Sequence, residues 1–443
     1  MTVKKCVVIG AGLAGLSAAY ELTLRNCEVT VLEATRRMGG RVLTYRFSAA
    51  KELNCELGGE WIGKDHHEMH RLCGDFGLLP LQEHGYSNSF WNQRKRAHLI
   101  APGKWCMSKK ALRIWRKFEK DFPRYTAHEL RELDKLDWWT KLAELGFGRE
   151  DLLRRDLMDS TDFGETIRMN SAYTAATEYV STKSQKVNVT DEMDFKVPGG
   201  NKRLVDGLAR AIGKSHIHLG TEVKRVLQRG RHVVVHAKGH RPIRADFCVC
   251  AIPAHRLGQI DWGSDFPEEK LAAARELQYA RITKTAVLCS RRFWRQPKGS
   301  GFSICTSLAS DFCFDSTYGQ EGTKGILCSY AVGDKADDIA SSSPEKLKHW
   351  IVEDVAHAFH IPWSARTNKR IALKIKQQPW QRDPFTGGAY AFYRPGQWFT
   401  LRPVLAKPFK RVFFAGEHIA DWQGFMEGAV VTGKAAADAV LRS

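Results

Sequence analysis

Lys5-Cys6-Val7-Val8-Ile9-Gly10-Ala11-Gly12-Leu13-Ala14-Gly15 decides how the rest of the chain is read. A short apolar strand runs into a G-x-G-x-x-G turn, and the helix that follows carries Ala14, Ala18 and Leu22 on one face. A second strand over 27–32 ends in Glu33. This is the order of a dinucleotide-binding β-α-β unit. The first glycine permits the tight turn, the second lets backbone approach a pyrophosphate, and the third lets helix and strand pack closely. The pyrophosphate sits at the positive end of the helix, so Gly10, Gly12, Ala14 and Gly15 are the expected contacts. Glu33 falls where a carboxylate grips ribose hydroxyls, and its charge disfavours a 2′-phosphate. The motif alone fits NAD and FAD equally.

The remaining chain is too long for one ordinary core. Its 443 residues suit about two domains of roughly 150–250 residues. Hydrophobic residues make up 43% and charged residues 26%, as in a soluble globular protein. The 11 cysteines are odd in number and scattered, which fits free thiols in a reducing, cytoplasmic compartment better than a disulfide framework. Cys248 and Cys250 lie two apart in an apolar run and are expected to be buried on one strand face. No leader, transmembrane run or C-terminal membrane anchor is expected. The net charge of +19 is high, with its densest segments at Arg94-Lys95-Arg96 and over 109–124. The second reads as an amphipathic helix, Leu112, Trp115 and Phe118 inward and Arg113, Arg116, Lys117 and Lys120 outward. Charge of this kind speaks to solubility and steering, so no nucleic-acid partner is expected.

No repeat or low-complexity linker interrupts the chain. Residues 1–75 read as β-α-β followed by Gly-rich loops, and 76–195 as a helical segment rich in Trp and Arg. A new motif opens at Val197-Pro198-Gly199-Gly200, followed by a helix to Ile212 and strands at 217–219, 223–227, 232–236 and 247–252. A mixed segment occupies 285–384, and the last 60 residues or so return to Gly-rich motifs and a closing helix.

Met38-Gly39-Gly40-Arg41-Val42 resembles the G-G-R signature of the flavin amine oxidase superfamily, and Leu57-Gly58-Gly59-Glu60-Trp61-Ile62-Gly63 resembles its next flavin loop. Gly199-Gly200 with Leu204, Leu208 and Ala209 is similar to the family's re-entry into the flavin domain. Phe413-Phe414-Ala415-Gly416-Glu417-His418 and Gly424-Phe425-Met426-Glu427-Gly428-Ala429 are similar to its two C-terminal motifs, the second nearly that of monoamine oxidases. The resemblance implies an α/β fold: a Rossmann-type FAD-binding domain (1–75, 196–284 and 385–443) interleaved with a mixed α+β substrate domain (76–195 and 285–384). It implies FAD as cofactor, with Arg41 at the diphosphate and Val223 holding adenine through its backbone. Gly58, Gly59, Glu60, Trp61, Gly416, Glu417, Phe425, Met426 and Ala429 complete the cofactor contacts. The covalent-flavin cysteine of monoamine oxidases falls at Ala389, so FAD is expected to be non-covalent.

On the reaction side the resemblance assigns Lys284 as the lysine that holds a water against flavin N5. Trp380 lies in the segment crossing the flavin face, and Tyr390 and Phe425 form a pair of rings walling the amine. Monoamine oxidases usually carry Tyr at both ring positions, so Phe425 is a departure. The implied reaction takes a small-molecule amine to an imine and passes electrons through the flavin to O2, giving hydrogen peroxide. An L-amino-acid oxidase is a rival reading, weakened because the 57–63 loop lacks an arginine for a carboxylate, although Arg168 could substitute. A polyamine oxidase is another, with Asp159, Asp162 and Glu165 as acidic contacts. A catalytically idle FAD scaffold is the reading of a different class. Glu60 is read either as a contact for a cationic substrate or as a loop cap. His66, His67 and His70 read as a helix start rather than as metal ligands, so no metal is expected. A homodimer is left open.

Overall fold

Two sheets organise the chain in the computed structural model, which describes residues 3–83, 88–93, 96–100, 107–184, 194–295, 302–306 and 311–443. The first is a five-stranded parallel sheet in the order Val412–Phe414, Phe247–Cys250, Lys5–Ile9, Glu28–Glu33, Ile217–Leu219. Its strands read as continuous apolar runs because both faces are covered. Along Lys5–Ile9, Cys6 and Val8 pack with the helices Leu13–Leu24, Lys202–Ile212 and Met426–Arg442, while Val7 and Ile9 pack on the opposite face. Cys248 and Cys250 are buried on that opposite face, as their spacing requires.

The helix Leu13–Leu24 is buried on every side rather than along one stripe, because the closing helix lies against it. A carbon added at Gly433 would overlap the carbonyl of Ala14, so the two helices meet backbone to backbone. A three-stranded antiparallel sheet, Val223–Arg229, His232–Ala237 and Ile243–Ala245, covers the other face.

The second large sheet has seven strands in the order Ala372–Pro379, Ile282–Cys289, Gly325–Val332, Phe312–Asp315, Phe302–Thr306, Asn88–Gln93, Arg96–Ile100. It is antiparallel except where Phe302–Thr306 meets Asn88–Gln93. The division expected after Lys284 falls within the strand Ile282–Cys289, all of whose residues are buried. Helices Gly333–Ser341 and Pro344–Ala358 pack on this sheet, and a separate helical cluster is built around Trp115, Phe118, Trp138 and Tyr179.

The helix Lys109–Asp121 buries Trp115 and Phe118 and exposes Arg113, Arg116, Lys117 and Lys120, as its periodicity predicts. Arg94 and Lys95, the core of the other charge run, lie outside the described residues. Two hairpins escape the sequence reading. Thr44–Phe47 with Ala50–Glu56 sits where Gly-rich loops are expected, and Asn88–Gln93 with Arg96–Ile100 interrupts the helical segment.

Candidate active site

The Gly-rich turn has the shape a cofactor phosphate needs. A carbon on Gly15 would overlap the Gly10 carbonyl, so this position must be glycine for helix and turn to close. At Gly12 the nearest neighbour would be Gly40 Cα at 3.9 Å, leaving an open approach to backbone. Gly12 caps the helix Leu13–Leu24 without a side-chain bond, so the first-turn N–H groups face that approach. Glu33 is buried, and its two oxygens accept from Ala11 N and Thr35 N, each at 2.8 Å. Gly39 N donates to Ala11 O at 2.8 Å, which stitches the G-G-R loop to the turn. Thr221 N donates to Glu33 O, so Val223 opens its strand two residues from the acid.

Glu417 ties three loops together. It accepts from Arg41 Nη1 at 2.6 Å, Gly424 N at 2.9 Å and Ala391 N at 3.2 Å. Burial pulls the Arg41 guanidinium down most strongly, but Glu417 carries the net shift upward, so the fork stays charged. Gly58 packs on the Arg41 carbonyl, Gly59 on Met426, and Asn201 Nδ2 holds the carbonyls of Gly59 and Glu60 at 2.9 and 3.1 Å. Ala429 lies one turn into the closing helix, its N–H bonded to Phe425 O. Glu427, part of the same motif, accepts from Glu68 N and Met69 N and so caps the helix His67–Asp75.

Lys284 is buried in mid-strand and reaches the 57–63 loop. Its Nζ donates to Glu56 O at 3.1 Å, Gly58 O at 3.0 Å and Glu60 Oε2 at 2.8 Å. Those acceptors take all three donors of an ammonium, so the structure corrects the expected water-holding role: Lys284 has no donor left over for a water. Burial disfavours its charge, but Glu60 outweighs this and holds the lysine well above its ordinary range. Glu60 is thus an ion-pair partner rather than a loop cap, and its Oε1 accepts from Lys196 Nζ at 2.5 Å. Trp61 meets Phe314 at a tilt, with ring centroids 5.8 Å apart, and Lys196 lies 4.1 Å over Trp61. Trp380 is fully buried and donates Nε1–H to Leu57 O at 2.7 Å, bracing the same loop.

Tyr390 packs its ring against Gly424, beside Phe425. Its hydroxyl donates to the carbonyls of Thr161 and Asp162, and Tyr330 Oη donates to it at 3.4 Å. Phe425 meets the rings of His66 and Trp422 at 5.5 and 5.9 Å. Burial pushes the His66 imidazole down to about 4, so it is neutral, and its Nδ1 accepts from Gly63 N. Ala389 is buried beside Trp380. Among the described residues no group of His, Cys, Asp and Glu could hold a metal ion.

The three acids of the middle segment are engaged by protein groups. Asp159 pairs with the buried Arg155 at 2.7 Å, and Glu165 pairs with Arg281 at 2.8 Å. Asp162 Oδ2 accepts from Tyr179 at 2.7 Å. Burial is the largest effect raising the Asp162 carboxyl, which the Tyr179 hydroxyl and Arg155 partly offset. Arg168 is exposed and stacks 3.5 Å over Trp139.

Tyr330, Lys196 and Trp422 were not anticipated, and His66, read as part of a helix start, stands at the N-cap of the helix His67–Asp75 and also meets Phe425. Each lies outside the quoted motifs or in a position without periodicity, and only the fold brings them to the site.

The model of flavin containing amine oxidoreductases matches residues 13–441. L-amino acid oxidase bordonein-L of Crotalus durissus terrificus is 25% identical over 99% of this chain and 87% of its own length. L-amino-acid oxidase of Crotalus adamanteus is 26% identical with the same coverage. Among solved structures, putrescine oxidase bound to putrescine superposes with a TM-score of 0.86 at 20% identity over 100% of both chains. Cyclohexylamine oxidase from Brevibacterium oxydans IH-35A gives 0.85 at 21% identity, covering 100% of this chain and 99% of its own.

Proposed function

The chain belongs to the flavin-containing amine oxidoreductases, and from that premise we propose that it oxidises a small-molecule amine with non-covalent FAD and O2. FAD held by these residues would supply the hydride acceptor for the carbon next to the amine nitrogen, with O2 as the final acceptor giving hydrogen peroxide and an imine product open to hydrolysis. The observation that carries the reading is the placement of Lys284 on the carbonyls of the flavin loop, with Tyr390 and Phe425 brought to the adjoining region by Gly424.

The residues would divide the work. The turn from Gly10 to Gly15 holds the diphosphate, Glu33 the ribose, and Val223 the adenine through backbone. Arg41 and Glu417 fix the G-G-R loop against the C-terminal motif. Tyr390 and Phe425 exclude water and pin the amine, and Trp380 keeps the flavin loop in place. Ala389 offers no thiol for a covalent link. The interleaved division at about 75, 195, 284 and 384 is proposed with it, its third crossing best placed just before the strand Ile282–Cys289. Nine cysteines, from Cys6 to Cys328, are free thiols, which supports a reducing, cytoplasmic setting.

A diamine or polyamine substrate is a second reading. It is favoured by Asp162, an acid whose backbone carbonyl already holds the Tyr390 hydroxyl.

Tyr390→Leu and Phe425→Leu test the ring assignment. Positioning acts on the transition state, so flavin reduction by a good amine should slow at least roughly tenfold with little change in melting temperature. Phe425→Tyr should be tolerated. A large fall in melting with an unchanged reduction rate would make the rings ordinary core.

A further inference from the structure

Glu60 is a single buried carboxylate shared by two lysines. Its Oε2 accepts from Lys284 at 2.8 Å and its Oε1 from Lys196 at 2.5 Å. The side chains of Glu60 and Lys284 are 1% and 6% exposed, so water screens this charge poorly. All three charges are present together. Burial, the largest effect on Glu60, raises its carboxyl, but the two lysines bring it below the ordinary carboxylate range. Lys196 also sits 4.1 Å over the Trp61 ring and 5.6 Å over Phe314, faces that favour a cation.

The groups around the triad do not cancel it. Burial raises the thiols of Cys55 and Cys328 and the phenol of Tyr330, which are therefore neutral. Burial also pushes Glu56 up to about 7, so below neutrality it is mostly uncharged.

We propose that Lys196 is a positioning and charge-setting residue for the flavin: it fixes Glu60 from the side opposite Lys284 and leaves the buried triad one unit positive. With Lys284 alone, Glu60 would neutralise the lysine that reaches the flavin loop. With Lys196 added, a surplus positive charge remains, and it favours the reduced over the oxidised cofactor, since reduction adds negative charge. The inference rests on the reading that Lys284 stands at the flavin.

The test is the flavin midpoint potential of the full-length holoenzyme, measured anaerobically slightly below neutral pH, for Lys196→Met, Lys196→Arg, Glu60→Gln and Lys284→Met. Lys196→Met takes the triad from one positive charge to none and should lower the potential. Glu60→Gln leaves both lysines uncompensated and should raise it. Each shift should reach about tenfold in the reduction equilibrium, about 30 mV for a two-electron couple. Lys196→Arg should keep the wild-type potential. Structural damage alone would move Lys196→Met and Glu60→Gln in the same direction, and that result overturns the inference. Equal shifts in Lys196→Met and Lys196→Arg overturn it too, and this pair suffices if Glu60→Gln does not fold. An unchanged potential in Lys196→Met with a shifted one in Lys284→Met refutes the role of Lys196 alone. No shift in either overturns the placement of Lys284 at the flavin as well.

Discussion

Glu56 stands behind the flavin loop with one oxygen bonded to Thr44 Oγ1 at 2.8 Å and Asn201 N at 2.9 Å. Its other oxygen has no hydrogen-bond partner among the described residues. Burial outweighs those two bonds and pushes the carboxyl up to about 7 from an ordinary value of 4.5. The folded protein therefore binds this proton more tightly than the unfolded chain. The resulting stability is fully present below about pH 4.5 and is lost as the pH rises through about 7. Glu56→Gln removes that dependence. Its melting temperature relative to wild type should rise as the pH climbs from about 5 to 8, and parallel melting profiles would contradict the assignment. At this scale the sequence is legible where a residue sits inside a motif. Glu33 and Arg41 stand beside the turn and loop their motifs name, and Ala389 shows directly that no thiol is available. Partnerships across long separations are not legible. Nothing near Glu60 in the chain announces Lys196 or Lys284, 136 and 224 residues away. The pairing follows from two strands, Phe195–Lys196 and Ile282–Cys289, converging on the loop that carries Glu60, which no local pattern encodes.

The first and last helices form one unit. Gly433 lies against the carbonyl of Ala14, and the two helices present their uncapped starts, at Gly12 and Phe425, toward the cofactor loops. A side chain at 433 would force them apart and displace both starts. Gly433→Val should cost about 1–3 kcal/mol in stability from overpacking and lower the flavin-to-protein absorbance ratio of the purified enzyme. Val431→Ala, on the exposed side of the same helix, should change neither. Normal flavin content in Gly433→Val would show that helix contact does not set the cofactor site. Elements with a strong local pattern were readable in advance, among them four of the five parallel strands, as apolar runs, and the helix Lys109–Asp121, by its periodicity. The hairpin Ala50–Glu56 was not, because only Ala50, Leu53, Cys55 and Glu56 are buried and the charged Lys51 and Glu52 mask the alternation. The strands Asn88–Gln93 and Arg96–Ile100 owe their state to partners in the second sheet, a tertiary effect that overrides local preference.

Across the whole molecule, the cofactor motifs return to one parallel sheet from segments more than 400 residues apart in sequence, Val412–Phe414 joining the sheet that Lys5–Ile9 begins. The interleaving was legible from the order of the motifs. The substrate was not, because the middle segments of the chain carry no motif. The proposed non-covalent attachment gives a whole-molecule prediction: acid precipitation should release all the yellow colour into the supernatant, and colour retained in the pellet would refute it. The central claim, that this protein is a flavin enzyme that oxidises amines, is tested most directly by mixing the oxidised holoenzyme anaerobically with monoamines, diamines, cyclic amines and L-amino acids while following flavin absorbance. At least one class should bleach the flavin within the time of mixing or over minutes, and admitting O2 should restore the colour with release of hydrogen peroxide. A flavin that a chemical reductant bleaches but that every amine leaves oxidised would contradict the account.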